Sequence, residues 1–171
     1  MNGLRWVVSG ALLVLAMVLQ VSVFTSFAWD GIGPDLVLLV VVAGALARGG
    51  QFGIILGFAG GVLLDLAPPA DHTAGRWALA LLVVGYVAGR MRQDARPTPA
   101  AALATVAACS FVGTSIYALS GLVLGEHVSG FGQMAEVIGV SLLWNLLLTP
   151  LVLPGVMALM RRLEPERALV R

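Results

Sequence analysis

The stretch Gly53-Ile54-Ile55-Leu56-Gly57-Phe58-Ala59-Gly60-Gly61-Val62-Leu63-Leu64-Asp65 decides how the chain must fold. Gly53, Gly57 and Gly61 recur every fourth residue, and Asp65 continues the series, so on a helix all four lie along one slowly drifting stripe. Nearly every other position is apolar. A stripe of hydrogen-only side chains lets a second backbone come close, and in greasy surroundings that is the packing surface of a membrane helix. The acid at its end is then turned toward protein, not lipid. Whether the opposing backbone belongs to the same bundle or to another protein, the stripe itself does not say.

Composition points the same way. Of 171 residues, 59% are hydrophobic and only 11% charged, against about a quarter charged in a soluble domain. All ten basic residues are arginine. The net charge of +1 gives no argument for nucleic acid, and no nucleic-acid partner is expected. Cys109 is the only cysteine and lies in an apolar run, which excludes an internal disulfide and a CxxC metal site. It reads as a small buried hydrophobe.

Six apolar segments give one transmembrane domain, an all-α integral membrane bundle. The first, residues 4–24, has about 20 residues, which at ~1.5 Å each match a ~30 Å hydrocarbon core. Its apolar part exceeds the roughly 7 to 15 residues of a signal-peptide core, so it is read as a retained span. Pro34 fits the first turn of the second helix, residues 35–47. The third helix, 51–66, follows after only Arg48-Gly49-Gly50. Both are short, and they make either two steep spans, the preferred reading, or a re-entrant hairpin that buries Arg48 at its tip at a cost of at least ~2.5 kcal/mol. Thr73 is a plausible N-cap for the fourth helix, 73–89, with Arg90 to Arg96 as a basic loop. Thr98-Pro99 opens the fifth helix, 99–124, as cap and first position. The sixth, 134–160, follows a polar segment, Glu126 to Gln133. It contains Pro150 and Pro154, each of which removes a backbone hydrogen bond and should kink it.

With six spans, Arg5, Arg48, Arg90, Arg92, Arg96, Arg161, Arg162, Arg167 and Arg171 share one side of the membrane, and Arg76 takes the other. The positive-inside rule then places both termini in the cytoplasm.

The chemistry of an enzyme is missing. His72 and His127 fall in separate outer loops; HExxH is absent, and without lysine there is neither a Ser–Lys dyad nor a GxxxxGK[ST] phosphate loop. No enzymatic activity, metal or cofactor is expected. The polar groups inside the spans are few. Asp65, close to the outer interface, either bonds the backbone N–H groups that start the next helix, or pairs with Arg76, or meets a partner or ligand. Ser141, Asn145 and Thr149 form a second four-residue series with Asn145 near the bilayer centre. An asparagine there hydrogen-bonds a neighbouring helix or the carbonyl freed by Pro150, or binds a substrate. Thr105, Thr114 and Ser115 are expected to bond their own backbone.

These residues carry a family resemblance. Pro34-Asp35-Leu36-Val37-Leu38-Leu39 resembles the start of helix 2 in the rod shape-determining protein MreD family, and Gly57 to Leu66 is similar to that family's glycine-rich helix ending in an acid. Gly75-Arg76-Trp77-Ala78-Leu79-Ala80 with Gly85-Tyr86, and Trp144-Asn145, Pro150 and Met160-Arg161-Arg162, resemble its later segments. The resemblance implies a non-enzymatic scaffold of the bacterial elongation complex in the plasma (inner) membrane. Its implied partners are the bitopic protein MreC and, beyond it, the actin-like MreB, RodA and a class B penicillin-binding protein that build peptidoglycan. It also implies a fold similar to the substrate-binding subunits of energy-coupling-factor vitamin transporters. That likeness supplies the alternative function, a transporter subunit, against which stands the lack of a small-xxx-small alanine pair on helix 1: Ala11 and Ala16 are five apart.

Overall fold

The described residues form six helices: α1 (Asn2–Ser22), α2 (Leu36–Arg48), α3 (Gly50–Leu66), α4 (Arg76–Asp94), α5 (Pro99–Val123) and α6 (Phe131–Arg162). The computed structural model describes residues 2–24, 28–29, 32–68, 73–94, 98–125 and 131–162, apart from the side chains of Asn2, Asp94 and Phe131. His72, Arg96, Glu126, His127, Arg167 and Arg171 lie outside the described residues.

A helix that is apolar on every side belongs in the middle of a bundle. Apart from Arg48, α2 has only apolar residues, and all from Leu36 to Ala45, with Ala47, are buried. It touches each of the other five helices. At ~1.5 Å per residue its 13 residues span only about 20 Å, short of a ~30 Å hydrocarbon core. A short helix leaves its terminal backbone groups at membrane depth, where each must find a partner inside the protein. At the first turn they do: Asp35 N–H donates to Asn145 Oδ1 (2.8 Å), Val37 N–H to Gln20 Oε1 (3.2 Å) and Leu38 N–H to Asp35 Oδ1 (2.9 Å). Three other helix or cap side chains thus close the top of α2.

At the other end a single residue, Gly49, joins α2 to α3 with φ +97, a left-handed conformation that favours glycine. Arg48 reaches out of this turn, donating to Met160 O on α6 at 3.0 Å and lying 5.0 Å from the Phe52 ring centroid. Ser9 on α1 also contacts Met160, hydroxyl to sulfur at 3.7 Å. A side chain at Gly49 would meet the Arg92 guanidinium on α4. The α2–α3 turn is therefore level with the arginine-bearing ends of α1, α4 and α6.

Several helix ends depart from the sequence reading. Pro34 stands one residue before the cap Asp35, outside the first turn of α2. The fourth helix begins at Arg76, not Thr73, with Gly75 at φ +101 ahead of it, because its cap comes from α3 and overrides the local threonine signal. Arg90 to Asp94 continue α4 instead of forming a loop. Arginine, methionine and glutamine are good helix formers, and a basic residue suits the last turn; the Arg90 guanidinium donates to Gln93 at 3.4 Å. Helix α6 starts at Phe131 and stays helical through Pro150 and Pro154 to Arg162. The α5 cap is as local as its sequence: Ala101 N–H donates to Thr98 Oγ1 at 3.2 Å, and Pro99 is the first helical residue.

Candidate functional site

The glycine stripe of α3 faces α4. A Cβ added at Gly53, Gly57 or Gly61 would stand under 3.0 Å from backbone atoms of Gly85, of Leu81, and of Trp77 and Ala78 respectively. The approach is reciprocal, since a Cβ at Gly85 would strike Gly53 and one at Gly89 would strike Gly50. The seam is internal to the bundle, and a leucine in it reports folding before it reports partner binding.

Asp65 ends the stripe where the antiparallel α4 begins. Its Oδ2 accepts from Gly75 N–H (2.9 Å) and Ala78 N–H (3.0 Å), and Oδ1 from Trp77 N–H (3.1 Å). A helix start presents orphan N–H groups and a positive dipole end, and a buried carboxylate answers both. Glycine packing and the cap are one device: only when the backbones touch does Asp65 reach the first turn of α4. Arg76, also buried, turns from this turn to α5, donating to Tyr117 O (2.7 Å) and Ser120 Oγ (3.2 Å) and stacking 3.9 Å from the Tyr117 ring centroid. Trp77 stacks on the same ring at 4.3 Å. Gly121 is small because Arg76 lies over it.

Asn145 is a second junction. Besides accepting from Asp35 N–H, its Nδ2 donates to Ser110 Oγ on α5 at 3.0 Å, so one buried amide ties α2, α5 and α6. Thr149 Oγ1 donates to Asn145 O at 2.6 Å, back-bonding within α6. Thr105 and Thr114 do the same to Ala101 O and Ser110 O, each at 2.8 Å. Ser141 is half-buried one turn above Asn145. Replacing Asn145 by leucine is expected to lower stability by about 1–3 kcal/mol, from two lost interhelical bonds and an exposed Asp35 donor. A thermal midpoint in detergent equal to wild type would remove Asn145 from this role.

Two junctions therefore crowd one end of the bundle and share a cavity of about 360 Å³ lined by Gln20, Asp35, Trp77, Tyr117, Ser141 and Asn145. A larger cavity, about 1040 Å³, opens between α5 and α6 at the opposite, arginine-bearing end, with Pro150 and Thr149 in its wall. Cys109 is buried against Val84 O and takes no part in either. Sequence reasoning passed over Asp35 as a cap, though an acid between Pro34 and an apolar helix is such a signal. It had no means to find Ser110 or Tyr117, whose partners lie 35 and 41 residues away.

A wholly buried apolar central helix and polar side chains used to join helices are those of an all-α membrane bundle. Among the described residues, three helices are individually long and apolar enough to cross a bilayer. The family model for the rod shape-determining protein MreD matches residues 2–163 of the 171. The chain belongs to that family, whose members are structural membrane proteins of rod-shape determination. No curated protein and no solved structure gives a significant match.

Proposed function

We propose that the protein is a six-span scaffold of the bacterial inner membrane, both termini cytoplasmic, that holds an MreC-like bitopic protein and so supports the peptidoglycan-synthesising enzymes of cell elongation. The observation that carries this reading is the family match over nearly the whole chain. Orientation is supported by geometry: Arg5, Arg48, Arg90, Arg92, Arg161 and Arg162 belong to the end where the α2–α3 turn meets Met160, and Arg76 to the other. Cytoplasmic loops carry the arginine excess. That placement of Arg48 also favours two short spans over a re-entrant hairpin, because its guanidinium sits with the helix-end arginines and not at mid-membrane.

Since the α3 stripe is occupied by α4, the partner's helix is gripped elsewhere. Gly10 on α1 and Gly139 on α6 have nothing within 4 Å of a built Cβ, so a foreign backbone can approach there. Both stand on faces whose large residues, such as Val14 and Leu143, are exposed. The test is a mild-detergent pull-down from native membranes with mass-spectrometric identification. Recovery of an MreC-like protein with wall-synthesis enzymes is the expected result, reduced at least tenfold by Gly10→Leu or Gly139→Leu in folded protein. Recovery of a pair of nucleotide-binding ATPases instead would make the chain a transporter subunit, with the 360 Å³ cavity as its first ligand site.

A further inference from the structure

The large cavity between α5 and α6 has one polar end. Its wall is apolar, built from residues such as Leu46, Ala102, Leu146, Leu153 and Met157, and its mouth carries Arg92 and Arg161. The threonines that also line it are already engaged: Thr105 and Thr149 donate to carbonyls of their own helices, and Thr98 caps α5. What the wall still offers is acceptors, the threonine oxygens and the carbonyls of Leu146 and Pro150 freed by the two prolines, while both charged side chains that line the cavity sit at the rim. Among the described residues neither Arg92 nor Arg161 has a carboxylate partner, and both are exposed. The capped start of α5 lies at the same rim and adds its positive dipole end.

The cavity opens sideways into the bilayer, because Leu103 on α5 and Leu147 on α6 both line it and are 41% and 65% exposed. On α5 it runs from Thr98 to Thr105, about 10 Å at ~1.5 Å per residue, and on α6 from Leu146, next to the Asn145 junction, to Arg161, about 22 Å, which is the depth of one leaflet with its headgroup layer. A partner's transmembrane helix would run the full thickness, and a soluble anion would leave the apolar volume empty. An apolar slot one leaflet deep with two cations at its rim has the polarity gradient of a lipid.

We propose that this groove binds one anionic glycerophospholipid, its acyl chains between α5 and α6 and its phosphate at Arg92 and Arg161. Basic pockets between membrane helices recognise anionic headgroups in this way. The inference stands apart from the scaffold reading, since it needs no protein partner.

The test is native mass spectrometry of the full chain in mild detergent, titrated with phosphatidylglycerol or with phosphatidylcholine of the same chains. One phosphatidylglycerol per chain should bind at least tenfold more tightly than phosphatidylcholine. Arg92→Gln with Arg161→Gln should weaken it about 25-fold, about fivefold for each arginine. Arg90→Gln, which removes an equal charge outside the groove, should leave it unchanged. Ala101→Phe, which fills the groove and keeps both arginines, should reduce binding of both lipids, and it decides the matter if the double variant fails to fold. Equal binding of the two lipids, equal loss in Arg90→Gln, or undiminished binding in the double variant or in Ala101→Phe overturns the proposal. So does a photocrosslinker at Leu147 that captures another protein's helix in native membranes in place of lipid.

Discussion

Asp65→Leu is expected to abolish a detergent-stable protein. The substitution strips the acceptor from the N–H groups of Gly75, Trp77 and Ala78 at a buried position. Each buried donor left unsatisfied costs ~1–3 kcal/mol, and more where hydrocarbon replaces water. Ala78 is buried and Trp77 half-buried while Gly75 is exposed, so about two donors are at stake and the sum, about 2–6 kcal/mol, is of the order of a marginal domain's stability. Asp65→Asn keeps one oxygen but replaces the other by an NH₂ group aimed at donors, and it removes the charge that complements the α4 dipole. Its cost should be about 2–3 kcal/mol. The readout is the surviving monodisperse fraction on size exclusion after a temperature series, with wild type above Asn and Asn above Leu. A leucine variant with the wild-type midpoint would show that the cap contributes nothing.

The second large effect is expected at Gly57. A Cβ there would come within 2.7 Å of the Leu81 carbonyl carbon, and neither backbone can yield without opening the α3–α4 seam from Gly50 to Gly61. Even alanine should cost about 3 kcal/mol, the upper end of ordinary overpacking. Leucine should prevent assembly of the bundle. Part of that cost is indirect, because a seam pushed apart withdraws Asp65 from the first turn of α4, so the two sites are coupled and their double variant should be less than additive. Gly139→Leu is the control: nothing lies within 4 Å of its built Cβ, and its thermal midpoint should match wild type. If Gly57→Leu were equally silent, the close approach of α3 to α4 would not be what holds them.

Much of this architecture is legible locally. The six helices, the cap-and-proline start of α5 and the four-residue stripe all depend on neighbours a turn or less away, and periodicity reports such things directly. The start of α4 was misread for the opposite reason. Thr73 offers a sound local cap, but Asp65, ten residues before Gly75 and on another helix, satisfies the same donors from a buried position. The basic run after Gly89 reads as a loop only if charge ends the helix together with the span, whereas a helix can leave the bilayer and continue, as α4 does to Asp94.

The sequence by itself determined that the chain is a membrane bundle, that α3 carries a close-packing stripe, and that Asp65 and Asn145 face protein, because spacing and composition bear on those questions alone. Only the tertiary structure decided what fills the other side of each contact. It put α4 on the stripe, the α4 backbone on Asp65, Ser110 and Asp35 on Asn145, and a leaflet-deep groove between α5 and α6. In lipid every helix offers a similar greasy exterior, so hydrophobicity cannot choose between neighbours. The choice falls to shape and to a few hydrogen bonds between residues far apart in sequence, whose pairing no local pattern records.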